Sequence, residues 1–125
     1  MDFICFEAHN EKYAVRIDEA IATIPIPEIT GVPGTIPAIK GMFSYLGELI
    51  PVVDLSQLYD GVDEFEPLFV IIVKGDRKYA ILSHGIKDII RGEVPMDIKF
   101  LSIHDIENAV MNGAVASNEA HIELF

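Results

Sequence analysis

Residues 37–55 read Pro37-Ala38-Ile39-Lys40-Gly41-Met42-Phe43-Ser44-Tyr45-Leu46-Gly47-Glu48-Leu49-Ile50-Pro51-Val52-Val53-Asp54-Leu55. Residues that favour β-structure fill both flanks and Leu46-Gly47 interrupts them, which spells strand, tight turn and returning strand. Pro51 has no N–H to give to a ladder, so the return strand is expected to be broken there, at a sheet edge or a bulge. Asp54, with Gln57 three residues on, has the spacing of a helix cap and predicts a short helix opening toward Tyr59.

Upstream of this hairpin, Pro25, Pro27, Pro33 and Pro37 fall between Ile24 and Ile39. They forbid a central strand and predict an edge or an extended crossing, with Ile24, Ile26, Ile29 and Val32 within reach of a partner. At the start of the chain, Phe3 to Glu7, a turn at His9-Asn10-Glu11 and Tyr13-Ala14-Val15 read as a second hairpin.

That second hairpin returns 66 residues later. Phe3, Ile4 and Phe6 fall on Phe69, Val70 and Ile72, Lys12-Tyr13-Ala14-Val15 falls on Lys78-Tyr79-Ala80-Ile81, and Thr23-Ile24 falls on Ile89-Ile90. More loosely, Ala20-Ile21 and Gly85-Ile86, one residue short of that shift, both follow a short polar stretch, and with slightly longer offsets Gly41 falls on Gly113 and Gly47-Glu48 on Asn118-Glu119. The pattern predicts a duplication, with two similar β-units each too small to bury a core alone. Helix is scarce. Ile103, Ile106 and Val110 stand at helical spacing and predict one short helix over residues 102–109.

The 125 residues suit one domain. Half of them are hydrophobic and the mean hydropathy is +0.34, so apolar material should remain on the surface as a groove or partner face. The longest apolar run, Leu68 to Val73, is six residues against about 20 for a spanning helix, so membrane insertion is not expected. Met1 to Cys5 carries no basic stretch, and the single cysteine fits a reducing compartment; a cytoplasmic location follows as the expectation. A net charge of −11 repels phosphate backbones, so nucleic acid is not an expected partner.

Chemistry-bearing patterns are weak. His9, His84, His104 and His121 show no close metal-ligand spacing, so no metal is expected. Cys5 lies in an apolar strand pattern, where burial keeps a thiol inert. No serine sits in a Gly-x-Ser-x-Gly context, and no glycine-rich phosphate loop is present. Asp63-Glu64-Phe65-Glu66 reads as a solvated linker between the halves. The chain is expected to bind other proteins, without catalysis and without a cofactor.

The stretch Lys40-Gly41, the hairpin turn at Leu46-Gly47 and Ile50-Pro51-Val52-Val53-Asp54-Leu55 closely resemble the CheW-like family. Tyr13-Ala14-Val15, Thr30 to Pro33, Phe69 to Gly75, Tyr79 to Ile86 and Asn112-Gly113-Ala114-Val115 extend the resemblance over nearly the whole chain. It implies an all-β fold of two SH3-like five-stranded barrels with a groove between them, one domain over 1–125. The subdomains would be 12–62 and 2–11 plus 66–125. It also implies a non-catalytic adaptor joining the cytoplasmic tip of a chemoreceptor to the regulatory domain of a CheA-type histidine kinase. Ile24, Ile26, Val32, Tyr45 and Leu46 would face the kinase, and Ala20, Gly41, Gly47, Ile86 and Gly113 the receptor groove.

The chain departs from the family pattern in places. Leu46 stands where members usually carry Arg, Ala22 where they carry Glu, and His84 where they often carry Asp. Arg and Glu would make a surface ion pair, worth at most about 1 kcal/mol, so the fold should survive their loss while partner choice changes. The sequence stops at Phe125, where the family's last strand usually continues into Leu-Asp and a helix, so the expectation is either a shorter second half or a truncated sequence. An alternative reading is a sensor that takes a small molecule or peptide in the groove without a kinase. Weak self-association through exposed edges is a further expectation.

Overall fold

A computed structural model describes residues 1–31, 39–53, 55 and 66–110. Within them the strands are β1 (Asp2–Ala8), β2 (Glu11–Arg16), β3 (Ala20–Pro25), β4 (Ile39–Tyr45), β5 (Glu48–Val53), β6 (Phe69–Lys74), β7 (Lys78–Ser83), β8 (Gly85–Arg91) and β9 (Lys99–Phe100). A helix, α1, covers residues 103–110. One sheet runs β8-β1-β2-β9 and the other β3-β6-β7-β5-β4. Pairing is antiparallel except for β2 with β9 and β5 with β7.

Two tight turns set the registers. His9 and Asn10 (φ 52° and 61°) join β1 to β2, and Leu46 and Gly47 (φ 49° and 83°) join β4 to β5. Two positive φ angles in a two-residue loop match the right-handed twist of the strands they connect. β5 runs unbroken through Pro51, contrary to the expected break, and Pro51 pairs with Met42. Tyr45 and Glu48 close the turn, so alternate pairs turn their N–H groups inward, and Pro51 is on the outward-facing set. The ladder to β7 begins only at Val52, so the missing N–H leaves no gap in either ladder.

β6 and β7 are walls shared by two cores. Ile71, Val73, Tyr79 and Ile81 enter a first cluster with Phe6, Tyr13, Val15, Leu101 and Ile106. Val70, Ile72, Ala80 and Leu82 enter a second with Phe43, Ile50 and Val52. Burial on both faces explains why Val70 to Val73 is a continuous apolar run with no alternation. Every strand of the second sheet contributes to the second cluster, where Ala22, Ile24, Ile29 and Tyr45 also pack. Thr30, beyond β3, bridges Met42 of β4, so this sheet closes into a five-stranded barrel. The first cluster lies between the two sheets, with Ile103, Ile106 and Val110 of α1 packed on it. Ser102 Oγ accepts from Asp105 N at 3.0 Å and caps that helix.

The duplication is visible in the topology. β3 pairs with β6 and β8 with β1, so the third strand of each unit joins the first strand of the other. The register differs from the sequence match. With Phe6 equivalent to Ile72, the partner of Phe6, Tyr13, corresponds to the partner of Ile72, Ala80. The Lys-Tyr-Ala identity is therefore one residue out of structural register. β3 and β8 likewise superimpose at Thr23 on Asp88 and Ile24 on Ile89, because Thr23 and Ile24 pair with Ile71 and Val70 while Asp88 and Ile89 pair with Cys5 and Ile4. Each sheet draws strands from both halves of the chain, and the expected boundary between residues 11 and 12 falls inside β2, after its first residue. The expected helix from Asp54 toward Tyr59 lies outside the described residues, Leu55 apart.

Candidate functional site

Among the described residues, the β4–β5 hairpin carries Leu46 and Leu49, the two most exposed large hydrophobic side chains after Met96. Its inner face is bolted to the second cluster by Phe43, Tyr45 and Ile50. Its outer face carries Met42, Ser44, Leu49 and Pro51, which pair across the strands. At the tip Leu46 is 87% exposed, and on the return strand Leu49 is 70% exposed. Beside them Lys78 and Glu48 form an ion pair. A hollow of about 450 Å3 runs from Ile39, Met42, Leu49 and Pro51 to Lys78 and Tyr79, with Val110 at its far wall. A second hollow on the other side of Met42 and Leu49 reaches Glu28 and Thr30.

Of the residues expected to face a kinase, Leu46 and Ile26 (40% exposed) reach the surface. Ile24 and Tyr45 share the second core cluster, half-buried. Val32 lies outside the described residues. Of the expected groove residues, Ala20 packs on the first cluster, and Ile86 is exposed on β8 of the other sheet. Gly41 is buried beneath Ile29 and Thr30, and Gly47 occupies the hairpin tip. Gly113 lies outside the described residues. Neither hollow beside the hairpin is lined by these four. Met42, Leu49 and Pro51 were the missed residues. Their signal was the period-two alternation of β4 and β5, which sorts them onto the face opposite Phe43 and Ile50.

Ala22 points into the second cluster, so a charge there would be buried. The outward position on that strand is Thr23, which is exposed. His84 is exposed, with Nε2 3.3 Å from Glu66 O.

Titratable groups serve the scaffold. Cys5 is buried, and burial pushes its thiol above the ordinary value of 9.0 despite the charge of Lys12. Arg16 grips Asp18 with two hydrogen bonds of 2.9 and 3.0 Å, which lowers the Asp18 carboxyl. Burial raises Glu19. Among the described residues no cluster of His, Cys, Asp and Glu is arranged to hold a metal ion. No helix among them is long and apolar enough to cross a membrane.

Comparison with known proteins places this geometry. The crystal structure of scaffolding protein TtCheW from Thermoanaerobacter tengcongensis matches with a TM-score of 0.65 at 23% identity, over 74% of this chain and 62% of that one. That likeness carries the fold, SH3-like β-barrels. Chemotaxis protein CheW of Klebsiella aerogenes is 27% identical over 92 residues, 71% of this chain. The match takes in 55% of that protein's length, so the chain spans little more than half of its curated relative. The family model described as CheW-like domain matches residues 2–122. By that match, the chain belongs to the CheW-like domain family.

Proposed function

We propose that this chain is a non-catalytic, cytoplasmic adaptor that couples a chemoreceptor tip to the regulatory domain of a CheA-type histidine kinase. The observation that carries the reading is a rigid β4–β5 hairpin that presents Leu46 and Leu49 to solvent at 87% and 70% exposure. A soluble module holding large apolar side chains on a stiff scaffold is built to bury them against another protein. Membership of the family supports the same partners.

The kinase side is proposed to be the tip together with exposed Ile26, while Tyr45 and Ile24 act as its packed support. The receptor side is proposed to be the hollow beside Leu49, whose wall is the hairpin that Gly41 and Gly47 shape. Ala20 and Ile86, placed on the first core cluster and on the other sheet, fall outside that hollow.

Titration calorimetry with the CheA-type regulatory domain of the same organism tests the reading, followed by kinase stimulation by receptor. Saturable binding and a receptor response that needs this chain are expected. Absence of binding at high micromolar concentration rejects the adaptor role, and a ligand-induced melting shift without kinase binding would replace it with a sensor.

A further inference from the structure

We propose that the turn between β6 and β7, residues 75–77, is a coupling element that ties the β4–β5 hairpin to α1, so that binding at the hairpin tip tightens binding in the hollow. The inference rests on the adaptor reading and adds the route by which its two sides sense each other.

Lys74 and Lys78 close this turn, and within it Gly75 N donates to Arg77 O at 2.9 Å. Two carboxylates from distant parts of the chain reach it. Lys78 Nζ pairs with Glu48 of the hairpin, 30 residues away in sequence. Asp76 N donates to Glu107 Oε2 of α1 at 3.1 Å, across 31 residues. Gly75 is what lets the helix come this near. A Cβ there would stand 2.5 Å from Ile103 Cγ1 and 3.0 Å from Glu107 Oε2.

The same three elements wall the hollow of about 450 Å3. Leu49 and Pro51 come from the hairpin, Asp76 and Arg77 from the turn, and Val110 from the end of α1. Its shape therefore depends on where the turn holds the other two. Both ties are of a size that a partner can shift. Lys78 and Glu48 keep 27% and 55% of their side-chain surface, and an exposed ion pair holds weakly. A carboxylate bond to an exposed backbone N–H exchanges readily with water. Two sites communicate when both bias one element that has a second arrangement within reach. A partner that clamps the hairpin fixes Glu48, Glu48 holds Lys78, and the steadied turn presents Asp76 N–H to Glu107. The end of α1 then stays where it closes the hollow. Linkage makes the effect reciprocal.

Hydrogen exchange of the full chain, read by NMR, tests the tie without any partner. Glu48→Gln breaks the ion pair on the hairpin, and the Asp76 amide should then exchange about threefold faster although its acceptor, Glu107, is untouched. Glu48→Lys combined with Lys78→Glu remakes the pair with its charges exchanged and should restore the wild-type rate. An Asp76 amide that ignores Glu48→Gln overturns the proposal. Calorimetry of a chemoreceptor-tip peptide, with and without saturating CheA-type regulatory domain, then reads the coupling. The peptide should bind the wild type about threefold more tightly when the regulatory domain is present. Glu107 does not line the hollow, yet Glu107→Ala should abolish that gain, and Glu107→Gln, which keeps an acceptor, should retain it. An equal gain in the wild type and Glu107→Ala overturns the coupling and leaves the adaptor reading standing. A chain that binds neither partner removes the adaptor reading, and the coupling of its two sides with it.

Discussion

Thr30 and Met42 exchange both backbone hydrogen bonds, each 2.9 Å from N to O, and this one bridge joins the segment beyond β3 to β4. It is the seam of the five-stranded barrel. Gly41 lies against that seam. A Cβ built on it would stand 2.7 Å from Thr30 O and 2.7 Å from Ile29 Cγ2.

Gly41→Ala is therefore expected to destabilise the chain by about 1–3 kcal/mol, the usual range for overpacking against atoms that cannot move aside. Because the nearest obstacle includes backbone, the strain should open the seam first. Hydrogen exchange is the measurement: the Thr30 and Met42 amides should lose protection more than those of β6 and β7. Unchanged melting and unchanged protection would show that the seam has slack.

The turn between β4 and β5 gives two substitutions of opposite sign. Leu46→Asn should stabilise by about 1 kcal/mol, because Asn tolerates the left-handed conformation that Leu46 holds at φ 49°. Gly47→Ala should destabilise by about 1 kcal/mol. Its cause would be the positive φ of 83° alone, since a Cβ there meets nothing within 4 Å. Urea midpoints of the two variants test both, and two shifts of the same sign would contradict the turn geometry.

What the sequence disclosed follows from how locally each feature is encoded. Leu46-Gly47 could be read as a turn because turn type depends on two residues. The Ile103, Ile106 and Val110 spacing could be read as a helix because one face of α1 packs on a single core. The apolar run from Leu68 to Val73 read as a strand, but the role of Val70 to Val73 as a wall between two cores was hidden, since burial on both faces removes the alternation that assigns a face. The Lys-Tyr-Ala identity misled by one residue. Its loop differs in length, with Ala8 opposite Glu11 in one hairpin and Lys74 opposite Lys78 in the other. The facing of Ala22 depended on the β3 register, which shifts between Ala20 and Ala22, and a one-residue slip exchanges inside for outside. Gly41 was expected at a groove on resemblance; its place under Thr30 required the barrel to close.

β8 is an outer strand of the first sheet among the described residues. Gly92 N donates to Met1 O, so inward N–H groups alternate back through Ile90 and Asp88, and that of Ile89 faces away from β1. Asp88 Oδ1 accepts it at 2.7 Å. A carboxylate placed on an open edge both occupies a donor and repels an incoming strand. Asp88→Ala should leave the melting temperature nearly unchanged, because water can take the freed donor. It should raise the fraction of dimer and higher species in sedimentation velocity. Equal sedimentation of variant and wild type would mean that Asp88 does not guard this edge.

Cys5 carries a pH dependence on the alkaline side. Its thiol is raised above 9.0, first by burial, and also by Asp88, Asp97 and Glu7, with Lys12 opposing. In the unfolded chain the thiol titrates near the ordinary value. Between that value and the higher folded one, the unfolded state gives up a proton that the folded state keeps. Stability from this group is therefore complete below pH 9.0 and is lost as pH rises through the folded value. Tyr79, raised above 10.0 by burial, should steepen the loss at still higher pH. Urea midpoints measured one unit below and one unit above the thiol's ordinary value should differ less for Cys5→Ala than for the wild type. The same burial predicts that Ellman's reagent modifies the native thiol slowly and the urea-unfolded thiol at once, since the thiolate is the reacting form. Rapid labelling of the native chain, together with a midpoint that ignores pH in both proteins, would place Cys5 in water rather than under the strands.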